Sequence, residues 1–398
     1  MQQDPIVIAS YARTAMGGFQ GVFAPVKATE LGATAVRAAV ERARAPADLI
    51  DRIYMGCVLS AGLGQAPARQ AALGAGLPES VQATTVNKMC GSGMQAAIMA
   101  CEALQAGAVE IVVAGGMESM TNAPYALPKH RSGARIGHDR IVDTMMMDGL
   151  EDAYTPGKAM GAFAQDTADV YQFTREMQDA YALRSLERAR GAISSGAFAK
   201  EIVPVSVTTR AGTKIVDTDE QPGGAKPEKI AGLRPAFAKE GTITAASSAS
   251  ISDGAAALIL TRRSVAERLG MAQVAHVVGS AGHANAPALF TTAPVKAIET
   301  LLRKIGWSVD DVDLFEVNEA FAAVAMIAAK DLQIPSDKIN VHGGATALGH
   351  PIGASGARII ATLLSALEQR GGRRGVASLC IGGGEATAMA FELIVTNR

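Results

Sequence analysis

Aromatic residues are scarce: phenylalanine, tyrosine and tryptophan make up 4% of the 398 residues, and there is one tryptophan. No basic block carries aromatics between its charges. Lysine plus arginine (37) nearly cancels aspartate plus glutamate (38), for a net charge of −1. A chain with neither an electrostatic footprint nor stacking platforms does not read as a nucleic-acid binder. Cysteine is scarce too. The four present (Cys57, Cys90, Cys101 and Cys380) form no Cys-x-x-Cys pair, which argues against a disulfide scaffold and against structural zinc. No uncharged apolar run reaches the ~18 residues of a membrane span. The first residues, Met-Gln-Gln-Asp-Pro, lack the basic and apolar stretches of a signal peptide. The expectation is a cytoplasmic protein with no membrane partner.

What is present is small and apolar. Hydrophobic residues make up 48%, charged residues 19%, and glycine numbers 42. That balance supports a large buried core, and the length suggests two or three domains. Short apolar runs recur at Ile6–Ala9, Asp51–Leu59, Val109–Ala114, Leu258–Thr261, Val274–Gly279, Leu314–Val317 and Val376–Ile381. Several lead through glycines into helical patterns. Strands alternating with helices predict an α/β fold with buried, largely parallel sheets.

Two stretches share one plan. Thr85–Lys88 leads to Cys90-Gly-Ser-Gly93, an alanine-rich helix, and a strand ending at Gly115-Gly116. Lys338–Val341 leads to a glycine loop, His350-Pro-Ile-Gly-Ala-Ser-Gly356, a helix, and a strand ending at Cys380-Ile-Gly-Gly-Gly384. The repetition reads as a duplicated domain. Between the copies, from about Thr121 to Ser247, lie a methionine run, seven prolines and an amphipathic helix predicted at 174–195. This section reads as an excursion inserted into the first copy, a usual place for substrate contacts.

Four motifs could carry chemistry. Cys90 stands at a glycine-rich helix start, where unpaired N–H groups favour a thiolate; a buried cysteine acting as a small apolar residue is the plain alternative. The same segment, Gly91-Ser-Gly93-Met-Gln-Ala96, fits a dinucleotide fingerprint. It follows the wrong strand, however, and the next strand ends in Ala114-Gly115-Gly116 without the acidic residue such a site needs. His350 sits in a loop stiffened by Pro351 and Gly353, a good frame for a general base or for a hydrogen-bonded structural histidine. Cys380 ends a strand before three glycines, whose N–H groups can form an anion-binding hollow. Asn318, in Asn318-Glu-Ala-Phe321, could donate to an oxyanion or cap a helix. Cys57 and Cys101 read as structural, as do His130, His138, His276, His283 and His342.

Taken together, Val86-Asn-Lys-Met-Cys90-Gly-Ser-Gly93, Asn318-Glu-Ala-Phe321, Gly349-His-Pro-Ile-Gly353 and Cys380-Ile-Gly-Gly-Gly384 resemble, in order and spacing, the signature segments of thiolases. Arg13-Thr-Ala15 and Gly62-Leu-Gly-Gln-Ala-Pro-Ala-Arg-Gln70 also look like that family, and the likeness runs over essentially the whole chain. It implies an α/β thiolase fold of two duplicated five-layered α-β-α-β-α halves with an inserted loop domain that holds coenzyme A. The expected division is 1–120 with 249–271, then 121–248, then 272–398. The implied activity is that of an acetyl-CoA C-acetyltransferase or 3-ketoacyl-CoA thiolase, usually a homodimer or homotetramer. Acyl-CoA and coenzyme A are then substrates, and no metal or redox cofactor is implied.

The resemblance also assigns roles. Cys90 is the acylated nucleophile, His350 its base, and Cys380 the base for the α-carbon. Asn318 holds the enolate through a water, together with His350, and the N–H groups of Cys90 and Gly382 form the oxyanion hole. Substrate contacts carried over are Leu150, Met160, Phe237, Ser248, Ser250, Phe290, Ala320 and Phe321. Three departures touch substrate binding rather than chemistry. Ala159-Met-Gly161 stands where short-chain members have His-Met-Gly. Phe290-Thr-Thr-Ala-Pro294 replaces Met-Gly-x-Gly-Pro, and Ala249 replaces a serine. A condensing ketosynthase shares the implied fold but lacks a second catalytic cysteine. A non-catalytic acyl-CoA binder would have lost Cys90, His350 or Cys380.

Overall fold

The computed structural model describes residues 4–394. The outer ends of the expected division, at 1 and 398, and the first three residues of the chain lie outside the described residues. Nine strands form the path of the main sheet: β1 Ile6–Arg13, β2 Arg52–Gly56, β3 Gln82–Val86, β4 Ile111–Ser119, β5 Ser252–Arg262, β6 Ala275–Ala284, β7 Leu314–Val317, β8 Arg374–Ile381 and β9 Glu385–Leu393. A tenth, Gly17–Gly18, pairs with β5. The spatial order is β7-β8-β9-β6-β1-β5-β4-β2-β3.

That order displays the duplication. Outward from β1, the chain pairs antiparallel to β5, antiparallel to β4, then parallel to β2. Outward from β6, it pairs antiparallel to β9, antiparallel to β8, then parallel to β7. The copies meet where Val7 and Ile8 pair with His276 and Ala275. The expectation of largely parallel sheets is corrected here: five of the eight pairings along the path are antiparallel. The cause is local. Gly382–Gly384 turn β8 straight back into β9, and a two-strand turn can only give an antiparallel pair.

The principal helices are α1 Ala28–Ala43, α2 Pro67–Gly74, α3 Ser92–Gln105, α4 Met160–Val170, α5 Arg175–Ser194, α6 Ala293–Ile305, α7 Ala322–Asp331 and α8 Ser355–Arg370. Side-chain alternation separates three cores. On β5, Ala257 and Ile259 face α1 and α2, while Leu258 and Leu260 face the molecule's centre. On β8, Ala377 and Leu379 face the centre, while Val376 and Cys380 face α6 and α7. A period of two on a sheet covered on both faces accounts for this. The centre is filled by α3 and α8, one helix from each copy, packed on each other and on both halves of the sheet. Every residue of α8 from Ser355 to Leu367 is buried, as befits a helix covered all round. Helix, sheet, helix, sheet, helix makes five layers.

The excursion leaves at the end of β4 and returns on β5. Its long helix α5 runs as the periodicity predicts, and Thr174 caps it by accepting from the Met177 N–H at 3.3 Å. The excursion is pinned to β1 by Arg13. The fully buried guanidinium donates to Glu201 Oε1 (2.6 Å) and to both carboxylate oxygens of Asp219 (2.7 and 2.9 Å). No helix among the described residues is long and apolar enough to cross a membrane.

Candidate active site

Cys90 sits in the turn between β3 and α3. Met89, just before it, is held at φ +47°, a left-handed conformation that costs a non-glycine residue about 1–2 kcal/mol. The Ser92 hydroxyl closes the turn, accepting from Lys88 N–H at 2.8 Å and donating to the Met89 carbonyl at 2.6 Å. A Cβ at Gly91 would lie 2.4 Å from Ile381 Cδ1, so only glycine lets the turn press against the end of β8. That approach brings the Gly382 N–H to the Cys90 sulfur. The expected thiolate is corrected: burial pushes the thiol up to about 11, outweighing the N–H groups of Gly382 and Cys90 itself, which pull it down. The helix proper starts only at Ser92.

His350 is more tightly held than its loop suggested. Ser355 donates its single hydroxyl proton to the Pro351 carbonyl at 2.9 Å. It must therefore accept from His350 Nδ1, 2.5 Å away. This sets the tautomer: Nδ1 carries the proton, and Nε2, which has no partner among the described residues, keeps its lone pair. Burial first, and the Arg358 charge second, push the imidazole down to about 3. The site therefore rests as a neutral thiol and a neutral base.

The loop after His350 is gripped by Glu118, which the sequence reading passed over. This fully buried carboxylate accepts from the N–H groups of Gly353 (2.8 Å), Val58 (3.0 Å) and Leu59 (3.1 Å). The Gly353 carbonyl rests in a cradle of glycines. Cβ atoms on Gly56, Gly93 and Gly116 would stand 2.5, 3.0 and 2.0 Å from its oxygen. Cys57, just past β2, places its sulfur 3.7 Å from Glu118 Oε1, and burial raises its thiol far above the usual range.

Cys380 faces the outer core from β8 and is fully buried. Burial first, and the nearness of Cys90 second, hold its thiol well above the ordinary value. Asn318 follows β7. Its N–H donates to the Ser378 carbonyl at 3.0 Å, and its Oδ1 accepts from Arg358 Nη2 at 3.3 Å. The capping alternative falls away, because α7 begins at Ala322 with Phe321 in the cap position.

A cavity of about 80 Å³ joins these elements. Cys90, His350 and Gly382 line it with Leu150, Met160, Ser250, Phe290, Ala320 and Phe321. Four expected site residues stand behind its wall. Cys380 and Asn318 are buried and do not line it. Phe237 meets Phe321 edge-on, with centroids 5.8 Å apart, and covers Gly161. Ser248 donates to the Thr244 carbonyl at 2.8 Å, turned toward its own backbone. A wider groove of about 750 Å³ shares Ser250 and Ile251 with the cavity and runs out past Ala246, Leu233, Lys226 and Lys229. Among the described residues, no cluster of three or more His, Cys, Asp or Glu could hold a metal ion.

The duplicated α/β sheet closed around two central helices is the fold of the thiolases, and the chain belongs to the thiolase family. It matches the thiolase N-terminal domain over residues 6–264 and the thiolase C-terminal domain over residues 271–393. It is 49% identical to an acetyl-CoA acetyltransferase of Escherichia coli (strain K12), across 97% of this chain and 98% of that one. It is 47% identical to acetyl-CoA acetyltransferase 1 of Arabidopsis thaliana, across 99% and 95%. The crystal structure of the Bacillus anthracis acetyl-CoA acetyltransferase has a TM-score of 0.96 at 39% identity, covering 98% of this chain and 99% of that one.

Proposed function

We propose that this protein is an acetyl-CoA C-acetyltransferase, condensing two acetyl-CoA into acetoacetyl-CoA or cleaving a 3-ketoacyl-CoA in reverse. The observation that carries the reading is the meeting of Cys90, the lone pair of His350 Nε2 and the Gly382 N–H on one small cavity. His350 takes the Cys90 proton, and the sulfur attacks the thioester carbonyl. The N–H groups of Cys90 and Gly382 hold the oxyanion. Coenzyme A leaves with the proton from His350, and the acetyl group stays on Cys90. Cys380 first passes its own thiol proton to His350 and, as a thiolate, takes the α-proton of a second acetyl-CoA; the proton on His350 returns to the Cys90 sulfur that condensation releases. Asn318, through a water, and His350 hold the enolate oxygen, and the carbanion displaces Cys90 from the acetyl carbonyl. Nucleophile and α-carbon base are separate tasks in this ping-pong cycle, which accounts for two thiols. None of these steps calls on a metal or redox cofactor.

The cavity's small volume and the bulk of Phe290 in its wall favour acetyl and acetoacetyl groups. The groove with Lys226 and Lys229 suits the anionic nucleotide end of coenzyme A. The division into 1–120 with 249–271, 121–248 and 272–398 follows the same reading, with the middle part as the coenzyme A loop domain. A homodimer or homotetramer is supported by the open sheet edge at β3 and by exposed Ile136 and Ile141. Four free thiols suit a reducing cytoplasm. Intact-mass measurement after mixing with acetyl-CoA, followed by peptide mapping, tests the proposal. An acetyl group on the Cys90 peptide is expected. An unmodified protein that still binds coenzyme A would point to a binder instead.

A further inference from the structure

Helix α8 delivers two side chains to the site from its first turn, Ser355 and Arg358. Three residues apart, they lie on one helix face. Ser355 fixes which nitrogen of His350 is bare. Arg358 stands in the same relation to Asn318. Its guanidinium is fully buried and donates through Nη2 to Asn318 Oδ1. Guanidinium groups only donate, so the amide end facing Arg358 must be the carbonyl oxygen. The NH2 end then points away, and Asn318 Nδ2 has no partner among the described residues although the residue is 1% exposed. Buried donors of this kind are ordinarily satisfied; one left free just before Ala320 and Phe321 of the cavity wall is a donor in reserve. Glu316, two residues before Asn318, stands on the other side of the guanidinium, with Oε2 3.7 Å from Nη1, close enough for charge attraction but beyond hydrogen-bond reach.

We propose that Arg358, braced by Glu316, is a positioning residue that locks the Asn318 amide with its NH2 group available to the oxygen of the condensation step. The inference rests on the enolate role given to Asn318 above. Without Arg358 the amide can rotate by half a turn and present its carbonyl, an acceptor, where a donor is required. Acylation of Cys90 uses His350 and the backbone N–H groups and does not pass through this amide; losing the Arg358 charge removes one cause of the lowered imidazole and so makes His350 a stronger base, not a weaker one. The two half-reactions therefore separate the positioning role from a structural one.

The test uses the full-length enzyme with Asn318→Ala, Arg358→Gln and the two combined. Rapid-quench mass spectrometry reads acetyl transfer from acetyl-CoA to Cys90, and steady-state assay reads acetoacetyl-CoA formation. Arg358→Gln is expected to slow condensation by about 10- to 100-fold while acetyl transfer to Cys90 stays within about threefold. The double variant should be no slower than Asn318→Ala alone, since one residue acts through the other. Should Arg358→Gln fail to fold, Glu316→Gln with Arg358→Gln removes both buried ionisable groups and carries the same expectation. Equal loss of both half-reactions, or multiplied losses in the double variant, overturns the inference. A slow Asn318→Ala beside a normal Arg358→Gln overturns it alone. An Asn318→Ala enzyme that condenses at the wild-type rate removes the enolate role as well.

Discussion

The two copies of the repeat do different things at the same place. In the second copy, β8 runs into Gly382–Gly384 and turns at once into β9. In the first, β4 extends to Ser119, and residues 120–251 intervene before β5 returns. A three-glycine turn and the whole excursion occupy equivalent positions. The central helices differ likewise. The first turn of α3 carries Ser92, spent on closing the nucleophile's own turn. The first turn of α8 carries Ser355 and Arg358, which orient groups contributed by other segments. One copy carries Cys90 and the excursion; the other carries His350, its hydrogen-bond partner Ser355 and the short turn whose Gly382 N–H faces the Cys90 sulfur. Duplication gave two equal frames, and catalysis needs them unequal.

The sharpest way to break this division is at the two thiols, one from each copy. Cys90→Ala should abolish thiolysis of acetoacetyl-CoA, a loss of at least about 10⁴-fold for an enzyme that proceeds through covalent attack. Cys380→Ala should still become acetylated on Cys90 yet fail to condense. Full thiolysis by the first variant would end the covalent mechanism. Complete loss of acylation in the second would mean that its role has been misassigned.

Next in size is the tie between the excursion and its own copy. Arg13→Met leaves Glu201 and Asp219 buried without their cation. Breaking one side of such a cluster costs about 3–5 kcal/mol, readable as a lower denaturation midpoint at unchanged slope. A loss under about 1 kcal/mol would show that the excursion is held by its apolar contacts alone.

The short turn of the second copy tests the comparison more gently. Gly383 has φ +94° and open space around its Cα, whereas Gly384 has φ +93° and would press a Cβ to 2.5 Å from the Asn285 carbonyl. Gly383→Ala should cost about 1–2 kcal/mol through left-handed strain alone, and Gly384→Ala clearly more. Equal thermal shifts for the two would show that strain, not the approach to Asn285, requires glycine there.

Much of this was legible in the sequence, and the residues show why. Leu314–Val317 is a strand at its expected limits because three apolar residues, interrupted only by Glu316, are bounded by the polar Asp313 and Asn318. The helix over 174–195 and the reactive Cys90, His350 and Asn318 carried local signals. The orienting groups did not. Arg358, in Gly356-Ala-Arg-Ile, reads as one charged position on an amphipathic helix, because periodicity says nothing of α8 being enclosed on every side. Glu118 follows Gly115-Gly-Met at the end of an apolar strand, and its three N–H partners come from two distant loops. Ser355 was visible in the glycine run after His350, but its bond to Nδ1 depends on how that loop folds.

Cys90 shows the same limit in its chemistry, and it yields the smallest effect to be measured. Its place before a helix argued for a lowered pKa, but burial runs the other way and holds the thiol near 11. A raised thiol is protonated at neutral pH, and a lowered histidine, near 3, is unprotonated there. Burial thus favours the uncharged form of both partners at neutral pH. Alkylation of Cys90 by iodoacetamide, followed by peptide mapping, should then rise with pH by nearly tenfold per unit through the range 7 to 10, because the reagent meets only the thiolate fraction. Acetyl transfer from acetyl-CoA, which has His350 as its base, should change far less over the same range. An alkylation rate already level at pH 6 would mean a resting thiolate–imidazolium pair, and the first copy's N–H groups would then outweigh its burial.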